Sequence, residues 1–185
     1  MSADRQARFE SIARVAYEPL QRYVRRRTPL AEVDDAVADT LVVLWRRLDD
    51  VPVGFELAWC YGVARRCLAN RRRSDERHQR LIATLVAEQP DETAGHDPAG
   101  DAELEAALRL LRPDDREVLQ LWAWEQLEPR EMALVLGVSP NAAAIRLHRA
   151  KRRLARRLGV STEQEQGKDA SPAGQSGVGH TEVER

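Results

Sequence analysis

The chain has 185 residues, with 29 Lys+Arg against 30 Asp+Glu, so its formal net charge is −1. That length allows one ordinary domain or two small ones, and an aromatic content of 5% means that any core is modest and largely aliphatic. The chain opens without an apolar stretch, and no run approaches roughly 18 apolar residues, so we expect neither export nor membrane insertion and predict a cytoplasmic protein.

The charge is distributed unevenly along the chain. Residues 1–80 and residues 104–158 each carry a net charge of +4, whereas residues 81–103 carry −6 and residues 159–185 carry −3. The near-neutral total therefore conceals two basic blocks that are separated by an acidic connector. Such clustering of positive charge favours an interaction with nucleic acid.

The residues that carry chemistry indicate neither an enzyme nor a metal site. A glycine-rich phosphate loop, a G-x-S-x-G motif and an H-E-x-x-H motif are all missing, and the four histidines lack partnering ligands. Cys60 and Cys67 lie about 10 Å apart along a predicted helix, too far for a disulfide, so we expect free thiols. We therefore predict no cofactor and no catalytic activity.

Apolar periodicity predicts helices throughout the N-terminal block. A stripe that begins at Phe9 predicts a first helix that stops at Pro19, followed by a short helix that ends in three arginines. A loop is predicted at 49–55 and a further helix at 56–73. The clearest pattern lies in residues 31–48, where the following residues share one face: Val33, Val37, Leu41, Leu44 and Leu48.

The composition then changes to residues that do not form a core. Residues 84–101 are rich in Pro, Gly, Asp and Glu without periodicity, which predicts a flexible linker. The predicted fold class is all-α, with two small helical domains joined by this flexible acidic linker. The predicted boundaries are a domain at 5–80, a linker at 81–101, a second domain at 102–158 and a disordered tail at 159–185.

Residues 127–158 carry the strongest local signal in the chain. Pro129 can open a short helix, and Gly137 suits the left-handed residue of a tight turn. Ser139 can cap a second helix that has Pro140 at its first position. Helix, turn and capped helix form a helix-turn-helix motif, whose second helix can lie in the DNA major groove.

The second helix of this motif is strongly basic, with seven cations in residues 146–157 and no acid between 141 and 158. It cannot neutralise itself through i,i+4 pairs, whereas arginine offers bidentate donors to phosphate and guanine. Small residues at its start leave Arg146, His148 and Arg149 as the readers of bases or phosphates. The alternative is a solvated helix whose arginines pair with acids elsewhere. The predicted apolar anchors are Ile145, Leu147, Leu154 and Leu158.

Taken together, these segments closely resemble the extracytoplasmic-function (ECF) type sigma factors of bacteria. The resemblance is carried by FESIARVAYEPLQRYVRRR, EVDDAVADTLVVLWRRLDD, AWCYGVARRCLANRRR and EVLQLWAWEQLEPREMALVLGVSPNAAAIRLHRAKRRL, and it covers about residues 5–158. It implies sigma domain 2 followed by sigma domain 4. The implied partners are core RNA polymerase, promoter DNA and an anti-sigma factor.

The resemblance also implies roles for residues of the first domain. The helix at 31–48 matches one that docks on the polymerase clamp, and Asp35 and Asp39 match its acidic positions on one face. For the acids near the start of this helix, the alternative is compensation of the helix dipole. The loop and helix at 49–73 match the element that captures the melted −10 strand, which needs stacking surfaces and cations. The candidates are Trp59, Tyr61, Arg65, Arg66, Arg71 and Arg72.

Two of these assignments have open alternatives. Trp59 and Tyr61 fit a place in the core as well as they fit a contact with DNA. The whole chain also fits a stand-alone helix-turn-helix transcriptional regulator, which binds an operator without polymerase. For the second domain, the resemblance implies recognition of the −35 element. The candidates there are Asn141, Arg146, His148, Arg149, Lys151 and Arg152.

Overall fold

The computed structural model describes residues 3–83 and 102–159, and the long regular elements in those two ranges are all helices. The predicted all-α fold class is confirmed. Residues 84–101 of the predicted linker, and the predicted tail beyond residue 159, lie outside the described residues. The helices are α1 (Ala3–Arg25), α2 (Val33–Arg46), α3 (Glu56–Ala83), α4 (Ala102–Arg109), α5 (Pro113–Ala123), α6 (Pro129–Leu136) and α7 (Pro140–Arg157).

The first helix runs without a break through Pro19, so the prediction of two helices divided at that residue is wrong. Proline removes one intrahelical hydrogen bond, but packing on both sides of it can hold the helix together. Ile12 and Ala16 are buried before Pro19, and Leu20 and Tyr23 are buried after it. This continuous buried face packs against α2 and α3.

The second helix confirms the apolar face predicted for residues 31–48. A short 3₁₀ turn precedes it at Leu30–Glu32 and another follows at Leu48–Asp50. Thr40 is also buried in this face, and its hydroxyl donates to the carbonyl of Ala36 at 2.8 Å, which satisfies the polar group. The predicted apolar residues are all buried or partly buried: Val33, Val37, Leu41, Leu44 and Leu48.

The third helix is ten residues longer than the predicted 56–73 and continues to Ala83. Residues 74–80 are exposed, so the added turns show no apolar periodicity that would have predicted them. They are nevertheless rich in Glu, Arg and Gln, which have good intrinsic helix propensity. Arg77 Nε also donates to the carbonyl of Arg73, four residues earlier, at 3.1 Å.

Local signals build the helix-turn-helix of the second domain as predicted. Pro129 is the first residue of α6, and Gly137 ends that helix with φ of 66°. The Ser139 side chain accepts from the backbone N–H of Ala142 at 3.2 Å and caps α7. The domain core is formed by Val118, Leu121, Met132, Val135, Ala143, Leu147 and Ala150.

One ion pair fixes α7 against the start of α5. Arg153 Nη1 donates to both carboxylate oxygens of Asp115 at 2.7 Å, and Asp115 is only 8% exposed. A buried carboxylate needs such a partner, because the pair repays part of its lost hydration. One cation of the basic helix is therefore neutralised by a neighbouring helix and serves the fold.

Replacing Asp115 with Asn is expected to lower the free energy of unfolding by about 1–2 kcal/mol, because a charge-assisted hydrogen bond is lost. Urea unfolding followed by far-ultraviolet circular dichroism measures the change. The matched control is Asp114→Asn, which removes an exposed acid from the same first turn and so has the same helix-dipole effect. Equal losses in the two variants would contradict a stabilising role for the pair.

The two cysteines are free, as predicted, with Cys60 buried and Cys67 half-buried. Burial, with a smaller effect of Glu56, raises the pKa of the Cys60 thiol to about 12. Burial also raises the pKa of Cys67.

The described residues contain no His, Cys, Asp or Glu cluster fit to hold a metal. None of the described helices is both long and apolar enough to cross a bilayer.

At pH 8 we expect Cys60 in the folded protein to react with Ellman's reagent at least about tenfold more slowly than in urea-denatured protein. The thiolate is the reactive form, and the raised pKa and burial both suppress it. A Cys67→Ala variant isolates the Cys60 signal. Reaction at the denatured rate in the folded variant would show that the thiol is accessible.

Candidate nucleic-acid interfaces

The face of α7 that points away from the domain core is cationic. Ala143, Leu147 and Ala150 form its buried side, and the exposed residues recur at helical spacing on the opposite side. Four of the predicted −35 contacts lie there, together with two residues outside the predicted set. This outward face consists of Asn141, Ile145, His148, Arg149, Arg152 and Arg156.

The two additional residues are Ile145 and Arg156. The prediction that Ile145 anchors α7 in the core is wrong, because the residue is 42% exposed. Its hydrophobicity suggested the anchor, whereas a helical rotation of 100° per residue from Leu147 would have placed it outward. The same rotation identifies Arg156 as part of this face.

The remaining two predicted −35 contacts lie at the sides of the outward face. Arg146 is exposed. Lys151 is half-buried, and its Nζ lies 3.7 Å from the centroid of the Trp122 ring. This cation–π contact holds the ammonium group at the junction of α5 and α7. The Trp122 ring therefore supports a cation of the basic helix.

The carboxylates predicted to dock on polymerase are joined to an arginine predicted to contact DNA. Arg71 of α3 donates to Asp39 Oδ2 from Nε at 3.0 Å and from Nη2 at 2.7 Å. Its Nη1 lies 4.0 Å from Asp35 Oδ2. The hydrogen bond to Asp39 raises the pKa of Arg71. Both carboxylates remain largely exposed, so Arg71 orients Asp39 by hydrogen bonds without covering it and reaches Asp35 only at ion-pair distance.

The other predicted −10 residues lie on different sides of α3. Arg66 is exposed, and Trp59 and Arg65 are half-buried. Tyr61 is only 3% exposed, and its ring centroid lies 4.9 Å from that of Tyr23. Burial raises the pKa of the Tyr61 phenol. In this conformation Tyr61 therefore belongs to the interior.

Replacing Arg149 with Ala should weaken binding to a fluorescein-labelled, random-sequence DNA duplex. If one phosphate contact is lost, the slope of log affinity against log salt should fall by about 1. Fluorescence anisotropy over a series of salt concentrations measures both quantities. Arg153→Ala on the same helix is the matched control. Because Arg153 is paired with Asp115, we expect its loss to lower the free energy of unfolding and to change the salt slope less than Arg149→Ala does. A larger effect of Arg153→Ala on the salt slope would contradict the assignment.

Comparison with known proteins identifies the basic helix-turn-helix. Residues 101–154 match the family model of Sigma-70, region 4. The RNA polymerase sigma-E factor of Streptomyces avermitilis is 31% identical over 154 residues, which cover 81% of this chain and 84% of the relative. The RNA polymerase sigma factor CnrH of Cupriavidus metallidurans is 30% identical over 152 residues, which cover 73% and 78%.

Solved structures show the same architecture. The structure of CnrH in complex with the cytosolic domain of CnrY matches with a TM-score of 0.54 at 28% identity, over 82% of this chain and 87% of that chain. The sigma factor RpoE of Bartonella quintana, in complex with the anti-sigma factor NepR, matches with a TM-score of 0.61 at 21% identity. That match covers 82% of this chain and 97% of that chain and shows a shared fold.

The helical fold and its basic helix-turn-helix define a DNA-binding protein of transcription initiation. The chain belongs to the bacterial RNA polymerase sigma factors of the ECF type. The family and function predicted from the sequence are thus confirmed, and the stand-alone regulator is set aside.

Proposed function

We propose that the two helical domains divide promoter recognition between them. The first domain comprises residues 5–80 and the second residues 102–158, with a linker at 81–101 and a tail at 159–185. The first domain binds core RNA polymerase and the −10 element, and the second reads the −35 element. The observation that carries this proposal is the outward face of α7, whose exposed cations lie opposite a buried apolar face. The factor supplies recognition and strand capture, and the polymerase supplies catalysis, so the factor is not itself an enzyme.

The outward face of α7 fits the major groove of the −35 duplex. Arg149 and Arg152 offer donors for phosphate or guanine, and Asn141 lies at the start of the helix, where recognition helices approach the bases. Ile145 lies between them and supplies an apolar contact suited to a thymine methyl group. Sequence preference therefore arises from one apolar and several cationic contacts.

The carboxylates of α2 fit a basic surface on the polymerase. Asp35 and Asp39 are exposed on one face, and Arg71 orients Asp39 by two hydrogen bonds while its charge lies 4.0 Å from Asp35. Pre-organisation of this kind lowers the entropy lost when the carboxylates meet a partner. Arg71 is then a positioning residue for polymerase docking, and the −10 contacts fall to Trp59, Arg65, Arg66 and Arg72, whereas Tyr61 packs in the interior beside Tyr23.

The proposal extends to location and regulation. Core polymerase and promoter DNA place the factor in the bacterial cytoplasm. The structure of Bartonella quintana RpoE with its anti-sigma factor NepR supports an anti-sigma partner for this chain as well.

The direct test is transcription in vitro with purified factor, core RNA polymerase and fragments of the source genome. We expect promoter-specific transcripts that require both proteins, and mapping of their start sites yields the two promoter elements. Retention of the factor on an operator without polymerase, with no specific transcript, would overturn the proposal in favour of a regulator.

Replacing both Asp35 and Asp39 with Asn should weaken binding of the factor to core polymerase by about tenfold or more, because two charged contacts are lost. Equilibrium binding of dye-labelled factor measures this affinity. The control is Asp34→Asn, an exposed acid on the same turn of α2. Arg71→Ala should reproduce part of the loss. If it impairs only DNA capture, then Arg71 contacts the promoter and does not position the carboxylates.

A further inference from the structure

The two helical domains do not lie apart but contact each other through charged and aromatic side chains. Arg27, just after α1, donates to Glu117 of α5 from Nε at 3.1 Å, and the Tyr23 hydroxyl donates to the same carboxylate at 2.9 Å. Arg26 donates to Glu125 from Nη1 at 3.0 Å. These five residues are called the clasp below.

The clasp is largely shielded from water. The side chains of Arg27, Glu117 and Glu125 are 7%, 15% and 3% exposed. The guanidinium carbon of Arg27 lies 3.6 Å from the centroid of the Tyr23 ring, which adds a cation–π contact. Ion pairs with so little exposure are screened less by salt than pairs on an open surface, so they hold the domains together at ordinary ionic strength.

A second contact between the domains depends on shape and not on charge. Helices α3 and α6 pack against each other, and Gly62 of α3 lies against the backbone of α6. A Cβ atom at residue 62 would lie 3.2 Å from the carbonyl oxygen of Leu134 and 3.4 Å from the Cα of Val135. Both of these are backbone atoms, which cannot rotate away. The absence of a side chain at Gly62 therefore permits this contact.

The covered part of α3 belongs to the segment proposed to capture the −10 strand. Gly62 lies between Tyr61 and Arg65, and in this closed arrangement Tyr61 is buried. The clasp also neutralises Arg26 and Arg27, which would otherwise be available to DNA phosphates. By contrast, the outward face of α7 remains exposed.

The closed arrangement also conflicts with the spacing of a promoter. Elements centred at −35 and −10 are separated by more than two turns of duplex, or roughly 80 Å. Helices α3 and α6, which contact each other here, cannot lie at both elements together. Residues 84–101 provide 18 residues of covalent connection, and a chain of that length can span up to roughly 60 Å. This reach and the extent of the two domains themselves together cover the distance between the elements, so the domains can separate without breaking the chain.

We propose that this factor inhibits itself through two contacts between its domains: the clasp, and the packing of α6 against α3 at Gly62. Both contacts must open before the factor can recognise a promoter. The inference rests on the proposed function, because it assigns α3 to the −10 element. In the closed state the C-terminal domain covers part of α3 and pairs with Arg26 and Arg27, so promoter DNA competes with Glu117 and Glu125 for these cations. The carboxylates of Asp35 and Asp39 stay exposed in this state.

The test uses the full chain and two kinds of opening variant. Glu117→Gln/Glu125→Gln removes both carboxylates of the clasp with little change of shape. Its control is Glu18→Gln/Asp114→Asn, which removes two exposed acids and gives the same net charge. Gly62→Met obstructs the α6 contact by shape alone, and methionine favours a helix more than glycine does, so α3 is not weakened. Circular dichroism confirms that each variant is folded.

Small-angle X-ray scattering measures the opening itself. A fully compact chain of this length has a radius of gyration of about 16 Å, and any extended segment adds to that value. We expect both opening variants to exceed the wild-type radius by about a fifth or more, with the control equal to wild type. Unchanged radii in both folded variants, or a wild type that already scatters as separated domains, would overturn the closed state.

Transcription then tests whether closure inhibits. At subsaturating factor, Glu117→Gln/Glu125→Gln should raise the yield from the mapped promoters about threefold or more, since a larger fraction of the factor is competent to bind. Opening without a gain in yield would overturn the inhibitory role. If the wild type gives no promoter-specific transcript with core polymerase, the proposed function fails, whereas the scattering result still decides whether the clasp exists.

Discussion

The placement of arginine is the constraint on which the rest of this structure depends. The chain has 29 basic side chains, and a buried cation is tolerated only beside a carboxylate or another strong acceptor. At three places an arginine pairs with an acid from a distant part of the chain, and at least one of the two side chains is buried or partly buried: Arg153–Asp115, Arg71–Asp39 and Arg27–Glu117. These pairs connect separate helical segments to one another, whereas the outward cations of α7 have no acidic partner within residues 3–83 and 102–159.

Features that depend on neighbours in sequence could be predicted from the chain alone. Pro129, Gly137 and Ser139 act within one or two turns of their own positions, so the helix-turn-helix follows from local chemistry. The continuation of α1 through Pro19 does not follow from local chemistry, because it depends on burial against two other helices. The extension of α3 depends on helix propensity, which apolar periodicity does not measure.

The candidate site divides in the same way. The density of cations in α7 predicts its basic character, and the helical rotation of 100° per residue predicts the outward position of Ile145 and Arg156. The pairing of Arg71 with Asp39 joins residues 32 positions apart, and that of Arg27 with Glu117 joins residues 90 apart. Such pairs are set by tertiary packing, which spacing along the sequence does not reveal. The burial of Tyr61, left open by the sequence, follows from that packing.

One atom of the clasp lowers the stability of the closed form, whereas the hydrogen bonds and ion pairs of the clasp raise it. Arg27 Nη2 is buried without a hydrogen-bond partner among the residues that the structure describes. A buried donor left in that state costs about 1–3 kcal/mol, and it recovers water as soon as the domains part. The closed form is thus less stable than its ion pairs alone would make it. Because this cost offsets part of the stabilisation by the ion pairs, a smaller binding free energy from promoter DNA suffices to open the clasp.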